Sequence, residues 1–215
     1  MKFGVFGTGD VGATIGKKLV SLGHDVMMGS RTASNDKAAA WVKENGAKAT
    51  AGTYADAAAF GEVLLNCTSG AGSLEALTAA GEKNLASKVL IDIANPLDFS
   101  KGMPPTLSIC NADSLGEQIQ RAFPQLKVVK TLNTVNCNVM VDPSRVPGDN
   151  TMFLCGNDKE AKGKVRELLV STFGWKDVLD LGDITSARGT EMYLPLWLRM
   201  WGALQTPNFN IKVVR

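Results

Sequence analysis

The chain has 215 residues, 45% of them hydrophobic and 20% charged, and a formal net charge of +2 at pH 7. That balance suits a globular protein of one well-buried domain, or one domain with a small appendage, and excludes disordered and fibrous classes. So small a charge, with no block of like-charged residues, argues against a nucleic-acid or anionic-membrane partner.

Met1-Lys2 leads straight into a short apolar strand, without the pattern of a secretory leader. The most apolar stretch, MYLPLWLRMWGAL, is interrupted by Pro195 and Arg199 and falls short of the roughly 18 residues of a membrane span. Cys67, Cys110, Cys137 and Cys155 are far apart and form no CxxC pair, and His24 is the one histidine. No metal site is expected from that spacing; reduced thiols and a cytoplasmic location are.

In chain order, strand-like runs are KFGVFG, DVMMGS, AKATAG, EVLLNCT, KVLIDIAN, KVVKTLN, TMFLCG and KDVLDLG. Most are short and rich in Val, Ile and Leu without strict alternation, as in parallel sheets covered on both faces. Helical segments fall between them. SNDKAAAWVKENG offers Ser34 or Asn35 as N-cap and Gly46 as the stop. NDKEAKGKVRELLVSTFG sets Val165, Leu168, Leu169 and Phe173 along one face and ends at Gly174. The alternation predicts an α/β fold with a doubly wound, mostly parallel Rossmann sheet.

Residues 95–112 and 133–150 break the rhythm as long loops after the fifth and sixth strands, at the sheet end where open α/β folds bind ligands. From Asp183 the alternation fades and two of the four tryptophans appear. The expected division is a nucleotide-binding domain over 1–182 and a C-terminal helix and tail over 183–215, packing on the sheet or across a dimer interface.

Gly7-x-Gly9-x-x-Gly12 follows the first strand and opens a helix. Gly7 would permit the tight turn, Gly9 a close approach of a pyrophosphate and Gly12 the packing of helix on strand, with the helix N-terminus facing the phosphates. NAD-binding units usually carry an acid at the end of the second strand, whereas this strand ends Gly29-Ser30-Arg31-Thr32. A hydroxyl and a guanidinium there suit a 2′-phosphate, so NADP is expected over NAD. His24, in the turn LGHDV, is remote from the expected nicotinamide and reads as structural or surface.

The fourth, fifth and sixth strands end in Asn66-Cys67-Thr68-Ser69-Gly70, Ala94-Asn95-Pro96-Leu97 and Asn133-Thr134-Val135-Asn136, with no His, Lys or carboxylate. No Tyr-x-x-x-Lys occurs, and Lys130 lies mid-strand. Carbonyl reduction needs a proton donor at the substrate oxygen, while a flavin-like ring spreads the charge itself. No catalytic residue is assigned, and ring-to-ring hydride transfer is the leading expectation. Two other readings stay open: a reductase of a small carbonyl or imine, its proton supplied by Tyr193, Lys130 or a loop residue, and an NADP(H)-binding sensor without turnover.

GTGDVG, LGHDVMMGSR, IDIANPL, VVKTLNTV, FLCGND and FNIKVVR, in that order over essentially the whole chain, resemble the NADP-dependent oxidoreductase family typified by the coenzyme F420 (deazaflavin):NADP oxidoreductase. They are similar also to the N-terminal reductase domain of the six-transmembrane metalloreductases. The resemblance implies that Thr8, Gly9, Asp10 and Val11 line the pyrophosphate, and that Ser30 and Arg31, with Thr32 beside them, hold the 2′-phosphate. Thr68, Ser69 and Asn95 would flank the nicotinamide ribose. Asn95, Pro96, Leu97, Asn133, Thr134, Val135 and the tail would border the deazaflavin, and the chain would form a homodimer. Where deazaflavin-using members carry a Pro-aromatic pair after the fourth strand and a His after the sixth, this chain has Thr68-Ser69-Gly70 and Asn133-Thr134. That departure widens the expected acceptor to FMN or FAD.

Overall fold

The computed structural model describes residues 1–214; Arg215, the last residue of FNIKVVR, lies outside them. All eight sequence-predicted strands join one sheet: β1 (Lys2–Phe6), β2 (Asp25–Ser30), β3 (Ala49–Thr53), β4 (Val63–Asn66), β5 (Val89–Asp92), β6 (Lys127–Thr131), β7 (Thr151–Gly156) and β8 (Asp177–Asp180). Their spatial order is β8-β7-β6-β5-β4-β1-β2-β3. Neighbours pair in parallel except β6 and β7, which are antiparallel. The order in which strands are added reverses between β1 and β4, which is the switch point where such sheets bind nucleotides.

Two cores cover the sheet. Helices α1 (Asp10–Ser21), α2 (Asp36–Asn45), α6 (Cys137–Val141) and α7 (Lys159–Glu167) bury Ile15, Trp41, Val139 and Val165 against Phe3, Val5, Leu65 and Ile91. On the other face, α3 (Tyr54–Phe60), α4 (Ser73–Ala80), α5 (Leu115–Ala122) and α8 (Ala187–Met192) bury Ala57, Leu77, Ile119 and Ala187 against Phe6, Leu64, Leu90 and Val128. Strand side chains alternate between the two cores, so each apolar run feeds both. Asn35 rather than Ser34 caps α2, accepting from the Ala38 N–H at 3.0 Å. Gly174 adopts the left-handed conformation, at φ 86°, after a π-helical turn over Leu168–Phe173.

The two long segments hold more order than loops. Residues 97–98 and 106–107 form a short antiparallel ladder. Residues 133–150 contain α6, capped by the Asn136 side chain, which accepts from the Asn138 N–H at 3.0 Å. Burial of Val139, Met140 and Val141 sustains this single turn, too short to show periodicity in sequence.

After β8 the chain returns through α8 and α9 (Leu194–Leu204) to the carboxyl ends of β4–β6. Arg188 forks onto Glu117 of α5 at 2.8 and 2.6 Å. Glu191 accepts from the first N–H groups of α5, Leu115 at 2.8 Å and Gly116 at 3.1 Å, and pairs with Lys130 at 2.8 Å. Lys130 also binds Asp92 at 2.8 Å and the Ala94 carbonyl. The Lys130, Asp92 and Glu191 side chains have essentially no exposure. Burial alone would lower the Lys130 pKa, yet the two carboxylates hold it above the ordinary lysine value. Among the described residues, no helix is long and apolar enough to cross a membrane.

Replacing Lys130 by Met would leave two buried carboxylates facing each other. The expected loss is about 3–5 kcal/mol of unfolding free energy, read from urea titration.

Candidate active site

The glycine turn forms where β1 gives way to α1. Gly7 has φ 110°, and a Cβ there would stand 2.6 Å from the Cys67 carbonyl oxygen. Gly12 has the same problem in a different place, with a Cβ position 2.3 Å from the Gly7 oxygen. Gly9 differs from both. It caps α1 in an extended conformation without a side-chain hydrogen bond, and a Cβ would meet nothing within 4 Å. A side chain at position 7 or 12 would therefore strain the fold, while the open space over Gly9 and the first N–H groups of α1 suits an approaching anion.

Two adjoining cavities open at this turn, sharing Cys67, Thr68 and Ser69 as their common wall. The smaller, about 200 Å³, is lined by Gly7, Thr8, Gly9, Arg31, Tyr54 and Glu75 among others. Arg31 is largely exposed, 3.8 Å from Glu75 across the mouth. Ser30 behaves differently from the sequence expectation: it is buried, and its hydroxyl donates to the Thr32 carbonyl at 2.6 Å. Thr32 is exposed and lines neither cavity.

The larger cavity, about 670 Å³, gathers Asp10, Val11, Thr68, Ser69, Asn95, Leu97, Asn133 and Val135 from four separate chain segments. Asn95 and Asn133 clasp each other: the Asn95 amide donates to the Asn133 carbonyl at 2.9 Å, and the Asn133 amide donates to Asn95 Oδ1 at 3.0 Å. Pro96 and Thr134 are buried behind the wall and do not line it.

Several lining residues were not anticipated individually: Asp98, Phe99, Cys137, Met140, Leu194 and Trp197. Trp197, the one the C-terminal tryptophans could have signalled, stacks on Phe209 with ring centroids 5.3 Å apart. Tyr54 and Glu75 had no local signal, since their place depends on how α3 and α4 pack at the switch point.

The segments that follow β4, β5 and β6 into the cleft (66–70, 94–97 and 133–136) carry no acid, but two carboxylates reach the large cavity from neighbouring positions, Asp10 and Asp98. Hydrogen bonds from Ser100 hold the Asp98 carboxyl below its ordinary pKa, so it stays ionised. Burial, reinforced by Asp92, pushes the Cys67 thiol up and keeps it from acting as a thiolate. Tyr193 lines neither cavity, and burial pushes its hydroxyl up to about 12. Lys130 lies outside both, held in its ion-pair cluster. Neither group named for carbonyl chemistry reaches the cleft.

Comparison with known proteins gives a family-level match, NADP oxidoreductase coenzyme F420-dependent, over residues 2–96. The chain is 28% identical to the metalloreductase STEAP3 of Rattus norvegicus, aligning 91% of its own length but only 38% of that protein. It is 28% identical to an F420-dependent NADP reductase of Methanocaldococcus jannaschii, over 91% of this chain and 90% of that one. A crystal structure from Arthrobacter sp. FB24, provisionally named an F420-dependent NADP reductase, superposes with a TM-score of 0.95 at 54% identity, covering both chains fully.

The contrast between two glycines gives a direct test. Gly9→Ala should fold with unchanged thermal stability and bind NADPH about tenfold or more weakly, a loss of at least ~1.4 kcal/mol by calorimetric titration. Gly12→Ala should instead lose roughly 1–3 kcal/mol of stability by overpacking, in the absence of any coenzyme.

Proposed function

The chain belongs to the NADP oxidoreductase family that contains the coenzyme F420-dependent NADP reductases, and from that premise we propose that it transfers hydride between NADP(H) and a flavin or deazaflavin. The observation that carries this reading is the pair of joined cavities, one at the glycine turn and the other walled largely by amides and apolar side chains. The residues suit the coenzyme, as the cradle over Gly9 and the unpaired start of α1 indicate. Bound there, the coenzyme supplies the hydride donor or acceptor carbon.

The chain's own groups then bind and orient. In this reading the α1 N-terminus, Thr8 and Gly9 hold the pyrophosphate, and Arg31 takes the 2′-phosphate, exchanging Glu75 for a better anion. Thr68, Ser69 and Asn95 position the nicotinamide end. Leu97, Val135, Met140 and Trp197 offer an apolar wall to a planar acceptor and restrict water around it. Such a transfer demands little acid–base help, which agrees with an ionised Asp98 and with the absence of Tyr193 and Lys130 from the cleft.

The acceptor, whether coenzyme F420, FMN or FAD, is the finer part of the proposal. Leu196, Trp201 and Leu204 leave an exposed apolar stripe on α9, which supports a homodimer. The four free thiols support a reducing, cytoplasmic setting.

Two experiments test this function. Arg31→Ala should weaken NADPH by about 1.5–3 kcal/mol and leave NADH nearly unchanged, whereas equal losses would remove Arg31 from the phosphate site. Following NADPH absorbance with a deazaflavin, FMN, FAD and a carbonyl panel should show oxidation with the ring acceptors; oxidation with carbonyls alone would overturn the proposal. Sedimentation equilibrium should return twice the chain mass, falling to one chain mass in Trp201→Glu.

A further inference from the structure

Asn66, Asp92 and Lys130 stand side by side on three adjacent strands, since β4 and β5 pair Asn66 with Asp92, and β5 and β6 pair Asp92 with Lys130. All three are essentially buried. A carboxylate in an ion pair only accepts hydrogen bonds, so the Asn66 atom 2.8 Å from Asp92 Oδ1 has to be the amide nitrogen. The second proton of that nitrogen goes to Ser73 Oγ at 3.0 Å. The carbonyl oxygen of Asn66 therefore faces Thr68, taking its hydroxyl proton at 2.7 Å and its backbone N–H at 3.3 Å. A contact of 2.7 Å between two oxygens, one of them an amide carbonyl, requires the Thr68 proton between them. With the Thr68 proton committed to Asn66, the 2.9 Å contact between Thr68 Oγ1 and Ser73 Oγ is carried by the Ser73 proton, which leaves one lone pair of Thr68 Oγ1 for a further donor.

We infer that Asp92, anchored by Lys130 and Glu191, is a positioning residue that locks the Asn66 amide in one orientation and so makes Thr68 Oγ1 a fixed hydrogen-bond acceptor toward the cleft. Its complement is a donor on the bound molecule. At the nicotinamide end of the coenzyme that donor is a carboxamide N–H or a ribose O–H. An acceptor whose polarity is set before binding spends none of the coenzyme's binding energy on turning the hydroxyl. The charge cluster thus acts on the site through two intermediate side chains without touching the coenzyme.

The inference rests on the reading above in one respect, that a nicotinamide coenzyme occupies the cleft. The test is a double-mutant cycle in coenzyme affinity, with thermal stability measured in parallel. Thr68→Val, which keeps shape and removes the acceptor, should weaken NADPH about 3- to 10-fold, the worth of one neutral hydrogen bond. Asp92→Asn should weaken it at least threefold, because Asn66 is then free to flip. The double variant should bind no more weakly than Thr68→Val alone, since Asp92 acts only through Thr68.

A purely structural Asp92 would lower stability and leave affinity untouched; that result, or losses that multiply in the double variant, would overturn the inference. If Asp92→Asn does not fold, Asn66→Ala severs the same link with the charge cluster intact and carries the same expectations. A 3-acetylpyridine analogue of NADPH, in which a methyl replaces the amide nitrogen, identifies the donor. Insensitivity of the analogue to Thr68→Val assigns the carboxamide N–H, and an undiminished loss assigns the ribose hydroxyl. Should NADPH and NADH bind the wild type equally, the 2′-phosphate reading fails and the same cycle is read with NADH.

Discussion

The ammonium of Lys130, sealed from solvent beneath the carboxyl ends of the central strands, has to be neutralised where it stands. Asp92 comes from the neighbouring strand and Glu191 from α8, sixty-one residues further along the chain, so the charge balances only when the sheet and the C-terminal segment have met. Glu191 at the same time satisfies the first N–H groups of α5, and Arg188 on the same helix forks onto Glu117. A one-residue slip of β5 or β6 would turn Asp92 or Lys130 into the opposite, wholly apolar core. The cluster thus specifies register as well as docking, and its cost is offset by the order it imposes on the end of the sheet where the cleft opens.

Much of this architecture is legible in the sequence. Eight apolar runs become eight strands because each is short, β-branched and bounded by turn residues, and the glycine turn lies where its context places it. The reversal of β7 is not legible, since TMFLCG reads the same in either direction. Nor is α6, whose one turn is sustained by tertiary burial. The polar ladder is hidden for a related reason: Asn66, Asp92 and Lys130 look like ordinary strand ends until register sets them abreast. What the sequence does not show for Ser30, a residue type suited to a phosphate, is that its hydroxyl donates to the Thr32 carbonyl.

The two cavities divide the chemistry unevenly. On the glycine side lie the backbone N–H groups at the start of α1 and the exposed Arg31 guanidinium, and shape matters because there is no room for a Cβ between Gly7 and the Cys67 carbonyl. On the other side the wall is soft, made of Leu97, Met140 and Trp197 around a pair of interlocked asparagines. Thr68 and Ser69 belong to both. They are also where the buried hydrogen-bond ladder surfaces, so a hydroxyl held by both Asn66 and Ser73 sits where the cavities meet.

The antiparallel pairing of β6 and β7 within the main sheet bears on how this scaffold can diversify. Because β7 runs backward and β8 follows it, the chain finishes its sheet away from the larger cavity and then crosses back, laying Leu194 and Trp197 of α9 against that cavity. The glycine turn thereby comes from the first strand–helix unit, and Leu194 and Trp197 of the larger cavity come from α9. Substitutions in α9 can therefore reshape one side of the larger cavity while the glycine turn is inherited intact.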